Sequence, residues 1–337
     1  MNETNSGQKH STISQGLTMA DIADLAGVSK ITVSRALSNY PTVKAETRER
    51  IRQLAAEKGY RLNVAARNLR LQRTHTIAVV VEMSASPTRP MSEPYPLALL
   101  GGIIQELTAA SYNLVLSTAE TFARTAPSAD GVILLGQGAH DDAVASIAQA
   151  RLPMVVWGSI RNDVDHIIVG SDNVAGGALA AQRLLSVGRR HLVFLGDTGY
   201  GEMADRFDGF CERLLADGVA PIAHRPCGFT FSSGHDAMVS LIAEFGNSID
   251  GVFACSDPIA MGAIRALAEH GRAVPDHVSV VGFDDSPSAA FFIPALTTVH
   301  QDWHEGGRLL ARKALALIEG DRVKSERMPV SLVTRTS

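Results

Sequence analysis

Between Ser29 and Arg35 the sequence Ser-Lys-Ile-Thr-Val-Ser-Arg gathers two cations, three hydroxyls and two branched apolar side chains into one short stretch. At helical spacing Val33, Ala36 and Leu37 fall on one side, which leaves Lys30, Ile31, Thr32, Ser34 and Arg35 on the other. Ammonium, guanidinium and hydroxyl groups donate to phosphate oxygens and base-edge acceptors, so such a face suits the major groove of a duplex. A second set is dispersed along the chain. Trp157, Asp257 and Asp284 each stand at the end of an apolar run, Arg206 lies near the start of a helical stretch, and Trp303 comes after the last strand crossing. Ligands of open α/β layers sit beyond the carboxyl ends of the strands. There, carboxylates and a guanidinium engage sugar hydroxyls in both senses, and aromatic faces stack on the C–H side of a pyranose ring. Phe229 and Tyr95 extend this set. Each member also has an ordinary use: Asp284 as a turn cap, Arg206 as a solvated charge, either tryptophan as core.

Catalytic signatures are absent from the sequence. It has no G-x-S-x-G elbow and no G-x-x-x-x-G-K-[ST] phosphate loop. His304-Glu305 lacks the second histidine of a metalloprotease helix, and Gly136-Gln-Gly138 lacks the third glycine of a dinucleotide fingerprint. The 11 histidines are scattered without metal-ligand spacing, so neither a metal nor a cofactor is expected. Cys211 shares a helical register with Leu214 and Leu215 and reads as core. Binding without chemistry is the expectation.

Around the first set, residues 18–60 read as three short helices. Thr18 followed by Asp21 is a capping-box pattern that opens Met19–Ala26, whose inward face is read as Ile22, Leu25 and Ala26. Gly27 ends that helix, Val28 fills the corner, and Ser29 caps a second helix, Lys30–Leu37. A third, Ala45–Lys58, turns Ile51, Leu54 and Ala55 inward, although Lys44 is a poor cap. Two helices joined by a short turn containing glycine are a helix-turn-helix. Charge agrees: residues 1–73 carry 12 Lys+Arg against 6 Asp+Glu, whereas the other 264 carry 19 against 29. Next, 63–71 is too short to be helical alone; Asn63 can cap it, and Leu69 stands among Arg67, Arg70 and Arg73. An apolar wedge flanked by arginines is the form of side chains that kink a duplex from the minor groove, and a staple holding the linker to the body is the other use of Leu69.

From Thr76 short Val/Ile/Leu runs, among them Gly131–Leu135, Met154–Trp157 and Leu192–Leu195, alternate with helical stretches such as Asn173–Val187. That alternation indicates parallel sheets covered on both faces, here in two α/β lobes with a cleft between them. No apolar run approaches the roughly 20 residues of a membrane span. The polar first 16 residues read as a disordered tail rather than a secretory signal. Three cysteines without paired spacing fit a reducing cytoplasm.

Thr18-Met-Ala-Asp-Ile-Ala-Asp-Leu-Ala-Gly-Val-Ser-Lys-Ile-Thr-Val-Ser-Arg-Ala-Leu37 resembles the DNA-binding headpiece of the LacI/GalR family of bacterial repressors, and Asn63-x-x-Ala-Arg-x-Leu69 resembles its hinge helix. Asp257-Pro-Ile-Ala-Met-Gly-Ala, Ser279-Val-Val-Gly-Phe-Asp-Asp285, Pro294-Ala-Leu-Thr-Thr298 and Gln301 are similar to that family's periplasmic-binding-protein-like core. The resemblance implies base reading by Lys30, Ile31 and Arg35, phosphate contacts from Thr18, Ser29, Thr32 and Ser34, and intercalation by Leu69. It implies effector contacts at Arg206, Phe229, Asp257 and Asp284. Leu62 and Lys44 depart from the family's usual Pro and Ser, and Gly158 stands where some sugar-responsive members carry Asp. Trp157 beside it, with Gly136-Gln-Gly138, suggests a differently lined pocket.

The expected organisation is a tail at 1–16, a helix-turn-helix domain at 17–61, a hinge at 62–73 and an effector-binding, dimerising body at 74–337. Lobe 1 is placed at about 74–171 plus 302–327, and lobe 2 at about 172–301 plus 328–337. The expected function is a homodimeric cytoplasmic, nucleoid-associated repressor of a pseudo-palindromic operator, released by a mono- or disaccharide. No leucine heptad tail points to a tetramer. A regulator that needs a co-repressor such as a purine, and a sugar-modifying enzyme that autoregulates, are the alternatives.

Overall fold

A computed structural model describes residues 17–37, 41–60, 73–82, 94–125, 128–138, 142–161 and 164–337. The hinge residues Asn63, Arg67 and Leu69 and the tail 1–16 lie outside these. The chain divides into two compact units at Arg73/Thr74.

The first unit holds α1 (Met19–Ala26), α2 (Lys30–Leu37) and α3 (Ala45–Glu57). Thr18 and Asp21 form the capping box, and Gly27 takes the left-handed conformation (φ 65°) that lets the chain turn into α2. The Ser29 hydroxyl accepts from the Thr32 N–H at 3.1 Å and so starts α2. Ile22, Ala23, Ala26, Val33, Ala36 and Ile51 are buried together. Leu25 is not among them. At 55% exposure it lies beside the buried stripe, whose place Ala23 takes.

In the second unit two six-stranded sheets form two lobes. The first contains β1 (Thr76–Val81), β2 (Asn113–Thr118), β3 (Gly131–Leu135), β4 (Met154–Trp157), β5 (Ile167–Ser171) and β11 (Glu326–Met328), in the order β11-β5-β4-β3-β1-β2. The second contains β6 (Leu192–Leu195), β7 (Ala223–Arg225), β8 (Gly251–Ala254), β9 (Ser279–Asp284), β10 (Thr297–His300) and β12 (Ser331–Val333), in the order β12-β10-β9-β8-β6-β7. All pairs are parallel except β10 with β12. The chain therefore changes lobe after β5, after β10 and between β11 and β12. Ile77–Val81 and Ile133–Leu135 are at most 1% exposed, as expected of strands with both faces covered.

The helices that reach the site are α4 (Pro94–Ala109) and, beyond α5 (Ala119–Thr125) and α6 (Asp142–Ala148), α7 (Asn173–Ser186) and α8 (Gly201–Leu215). They are followed by α9 (Phe231–Phe245), α10 (Asp257–Glu269) and α11 (Trp303–Glu319). Helix α8 lies so close on α7 that a Cβ at Gly177 would sit 1.9 Å from the Arg206 carbonyl. That contact fixes α8 in the second lobe.

Candidate functional site

On the first unit, Lys30, Ile31 and Arg35 are exposed along one side of α2, opposite Val33 and Ala36. Ile31 is 61% exposed, a large apolar side chain open to solvent on a basic face. Ser29 and Thr32 share a hydroxyl–hydroxyl hydrogen bond (2.9 Å), while Ser34 is half-buried. Thr18 is exposed at the start of α1. Its N–H and hydroxyl both donate to Asp21 Oδ2, at 2.7 and 2.8 Å, and these bonds hold the Asp21 carboxyl below its ordinary pKa. Arg50 donates to the Ala26 carbonyl (3.0 Å), satisfying the end of α1 and docking α3 behind the exposed face.

In the second unit a cavity of about 360 Å³ opens at the carboxyl ends of both sets of strands, within the range of small-molecule pockets of ~300–1,000 Å³. Tyr95, Trp157, Arg206, Phe229, Asp284 and Trp303 all line it. Arg206, 5% exposed on the first turns of α8, is held from several sides. Its Nε donates to Asn173 Oδ1 (2.8 Å), Nη1 donates to the Cys255 carbonyl, and Nη1 lies 3.9 Å from Asp284 Oδ1. The guanidinium lies 3.6 Å from the centre of the Phe283 ring. Asp284 also accepts from Gln301 Nε2 (2.7 Å), and Gln301 Oε1 accepts from Ser171 Oγ (2.6 Å), which spans two of the lobe crossings. Burial pushes the Asp284 carboxyl well above the carboxylate range, against the pull of Arg206.

One expectation is revised. Asp257 does not line the cavity. It is 0% exposed, its Oδ1 accepts from the Thr298 hydroxyl (2.6 Å) and its Oδ2 accepts from the Ser286 N–H (2.7 Å). Both oxygens are drawn into the lobe, so Asp257 holds the loop that carries Asp284 and leaves ligand contact to others. Trp157 lines the cavity with little of its surface: it is 4% exposed, and a Cβ at Gly306 would sit 2.4 Å from its ring, so α11 packs closely upon it. Trp303 (8%) is set edge-to-face with Tyr95, with ring centres 5.8 Å apart. The more accessible aromatic surface comes from Tyr95, Tyr200, Phe229 and Phe231.

Sequence reasoning missed Glu82, Ser171, Asn173, Glu202 and Met203. Ser171 and Asn173 stand at the end of β5 and Glu82 at the end of β1, so the strand-end rule was a sufficient signal for three of them. Gly136-Gln137-Gly138 does line the cleft. The Gln137 amide fills the space beside Gly158, where a Cβ would lie 2.3 Å from Gln137 Oε1. The position where some family members carry an acid is thus closed here by a glutamine from the neighbouring strand.

Burial raises the Cys211 and Cys227 thiols to about 11, so both are protonated at neutral pH. Among the described residues no cluster of metal-binding side chains occurs, and no helix is long and apolar enough to cross a membrane.

Residues 18–63 match the family described as bacterial regulatory proteins, lacI family, and residues 181–337 match a periplasmic binding protein-like domain. The HTH-type transcriptional regulator CelR of Thermobifida fusca is 32% identical over 334 residues, covering 95% of this chain and 96% of its own. The probable HTH-type transcriptional repressor ExuR of Bacillus subtilis is 30% identical over 321 residues, covering 93% and 95%. Among solved structures, the Lac repressor dimer bound to operator and the anti-inducer ONPF superposes with a TM-score of 0.82 at 25% identity, covering 96% of this chain and 99% of that one. The CelR–cellobiose complex superposes at 0.70 with 30% identity, covering 95% and 99%.

Proposed function

Because the chain belongs to the LacI family of bacterial regulatory proteins, and is therefore a DNA-binding transcriptional regulator and not an enzyme, we propose that it represses a sugar-utilisation operon and is released by a mono- or disaccharide. The observation that carries the reading is the cleft. Arg206, Asn173 and Gln301 offer donors and acceptors beside Asp284, with aromatic surface on both lobes, between two sheets joined by repeated crossings.

On DNA, two copies read a pseudo-palindromic operator in the cytoplasm, at the nucleoid. Lys30, Ile31 and Arg35 face base edges, with Ile31 on an apolar feature such as a thymine methyl. Thr18, Ser29, Thr32 and Ser34 lie at the backbone, Asn63 and Arg67 belong to the hinge, and Leu69 wedges the minor groove. Sugar in the cleft alters the lobe angle and so the spacing of the paired hinges. A coupling of about 1–3 kcal/mol changes operator affinity roughly 5- to 150-fold.

Fluorescence anisotropy of a promoter-derived duplex, titrated with neutral sugars, sugar acids, sugar phosphates and purines, tests the proposal. Release by a mono- or disaccharide is expected. Tighter DNA binding on adding a purine establishes co-repression instead, and DNA binding that no ligand alters overturns the ligand-released reading.

A further inference from the structure

A hydrogen bond tied to the cleft wall joins the two lobes. Ser159, 1% exposed and just past β4 in the first lobe, donates its hydroxyl to Asp205 Oδ2 on α8 of the second at 2.5 Å. Ser159 is itself fixed. Its N–H donates to Gln137 Oε1 (2.6 Å) and its carbonyl accepts from Gln137 Nε2 (3.2 Å). Both ends of the Gln137 amide are thus committed to one backbone unit, and Gln137 is 2% exposed in the cleft wall. Close approach depends on the absence of side chains at two points. A Cβ at Gly158 would strike Gln137, and one at Gly201, the first residue of α8, would lie 3.1 Å from Ser159 Cβ. On the far side, Asp205 stands among Glu202, Met203 and Arg206, which form the opposite wall. A polar chain therefore runs from one wall through Gln137, Ser159 and Asp205 to the helix that carries Arg206.

We propose that the Ser159–Asp205 pair is a latch that sets the angle between the lobes, and through it how strongly the cleft is coupled to DNA binding. This rests on the reading of the chain as a ligand-released repressor and assigns a regulatory device within that site. Asp205 suits the role. Its burial pushes the carboxyl up, while Arg161 and Arg327 favour the charged form, which makes the stronger acceptor. A bond made at one lobe angle and broken at another biases the populations of the two. Operator and inducer select opposite angles, so cutting the latch moves their affinities in opposite directions. For a charge-assisted bond with a half-exposed acceptor the shift is about 5- to 10-fold.

The test uses full-length Ser159→Ala, Asp205→Ala, their double variant and Asp205→Asn, which keeps an acceptor. Small-angle scattering reports lobe opening, thermal unfolding reports integrity, and anisotropy reports binding of a promoter duplex, with cellobiose as the sugar probe. Both alanine variants are expected to broaden the distance distribution and shift operator affinity about 5- to 10-fold, with cellobiose affinity moving the other way. The double variant should match the singles, and Asp205→Asn, which keeps an acceptor without the charge, should fall between the parent and the alanine variants. Scattering curves and operator affinities that match the parent overturn the latch. So does a double variant whose effect is the product of the singles, or a parallel loss of both affinities with a lowered melting point. If DNA binding is intact and no sugar affects any variant, the sugar-responsive reading fails, while scattering and operator affinity still decide the latch.

Discussion

Replacing Arg206 by alanine removes a side chain that the ligand and the fold both use, and the structure says how much belongs to the fold. The change leaves Asn173 Oδ1 and the Cys255 carbonyl without their buried donor and takes the cation from beside Asp284. An unsatisfied buried acceptor costs about 1–3 kcal/mol, so the two together cost about 2–6 kcal/mol. Asp284, its carboxyl raised by burial, keeps its proton into the neutral range and adds no stranded charge. The expected loss is about 4 kcal/mol. At ~2–4 °C per kcal/mol for a body of this size, the melting temperature falls by about 8–16 °C. Scanning calorimetry of the full chain measures it. A transition within about 3 °C of the parent refutes the assignment of Arg206 as a structural clasp. For the same reason Arg206→Ala is a poor probe of ligand response. Asp284→Asn keeps an acceptor for Gln301 and separates the two roles.

Three further outcomes follow from the same contacts. Asp257 and Asp284 both have carboxyl pKa values raised by burial, so the folded body takes up protons at a pH where the unfolded chain has released them. Their contribution to stability is therefore lost as pH rises from the ordinary carboxylate range through the raised values, and Asp284→Asn should flatten that slope in melts recorded from pH 5 to 8. Gly158→Ala drives a Cβ to 2.3–2.5 Å from the Gln137 side chain and should cost about 1–3 kcal/mol, but little more when added to Gln137→Ala, which itself strands the Ser159 N–H and carbonyl, as urea unfolding would show. On α2, Lys30→Ala should cost about 1–3 kcal/mol and relax preference at one base position, a change seen across single-base operator variants rather than in the salt slope of operator binding. Ile31→Ser should leave that slope and the melting point unchanged while weakening operator affinity about 5-fold; an unchanged affinity removes Ile31 from the reading face.

What the sequence made legible followed local rules. The capping box, the glycine turn and the hydroxyl that starts α2 lie within a few residues of what they control, so α1 and α2 could be delimited by inspection. Strands buried on both faces, such as Gly131–Leu135, declare themselves by continuous apolar runs. β10 did not, because two of its four residues are threonines. Thr297 and Thr298 are 0% exposed, and their hydroxyls bond to Ser337 and Asp257, partners 40 and 41 residues distant. β11 and β12 have three residues each and take their pairing from the crossings, so composition alone does not mark them.

Asp257 and Asp284 show the same limit inside the site and lead to a test of how the site is held. Both are acids at strand ends, and spacing cannot say which way either points. The structure separates them by what lies behind: Thr298 and the Ser286 N–H draw Asp257 inward, and Gly282 leaves room, since a Cβ there would lie 2.4 Å from Asp257 Oδ1. With Ser286 anchored, Asp284 and Asp285 are held at φ 118° and 54°, conformations unfavourable for residues with side chains. Arg335 at 2.6 Å and the Thr298 hydroxyl at 3.3 Å hold Asp285 from the other end. Released at Ser286, the loop is expected to relax and carry Asp284 away from Arg206. Asp257→Ala should therefore raise hydrogen exchange at 284–288 and weaken inducer response at least 10-fold, although Asp257 touches no ligand. If exchange at 284–288 matches the parent while inducer response is lost, the loop is not held through Asp257, and its carboxylate acts on the ligand by a route that this geometry excludes.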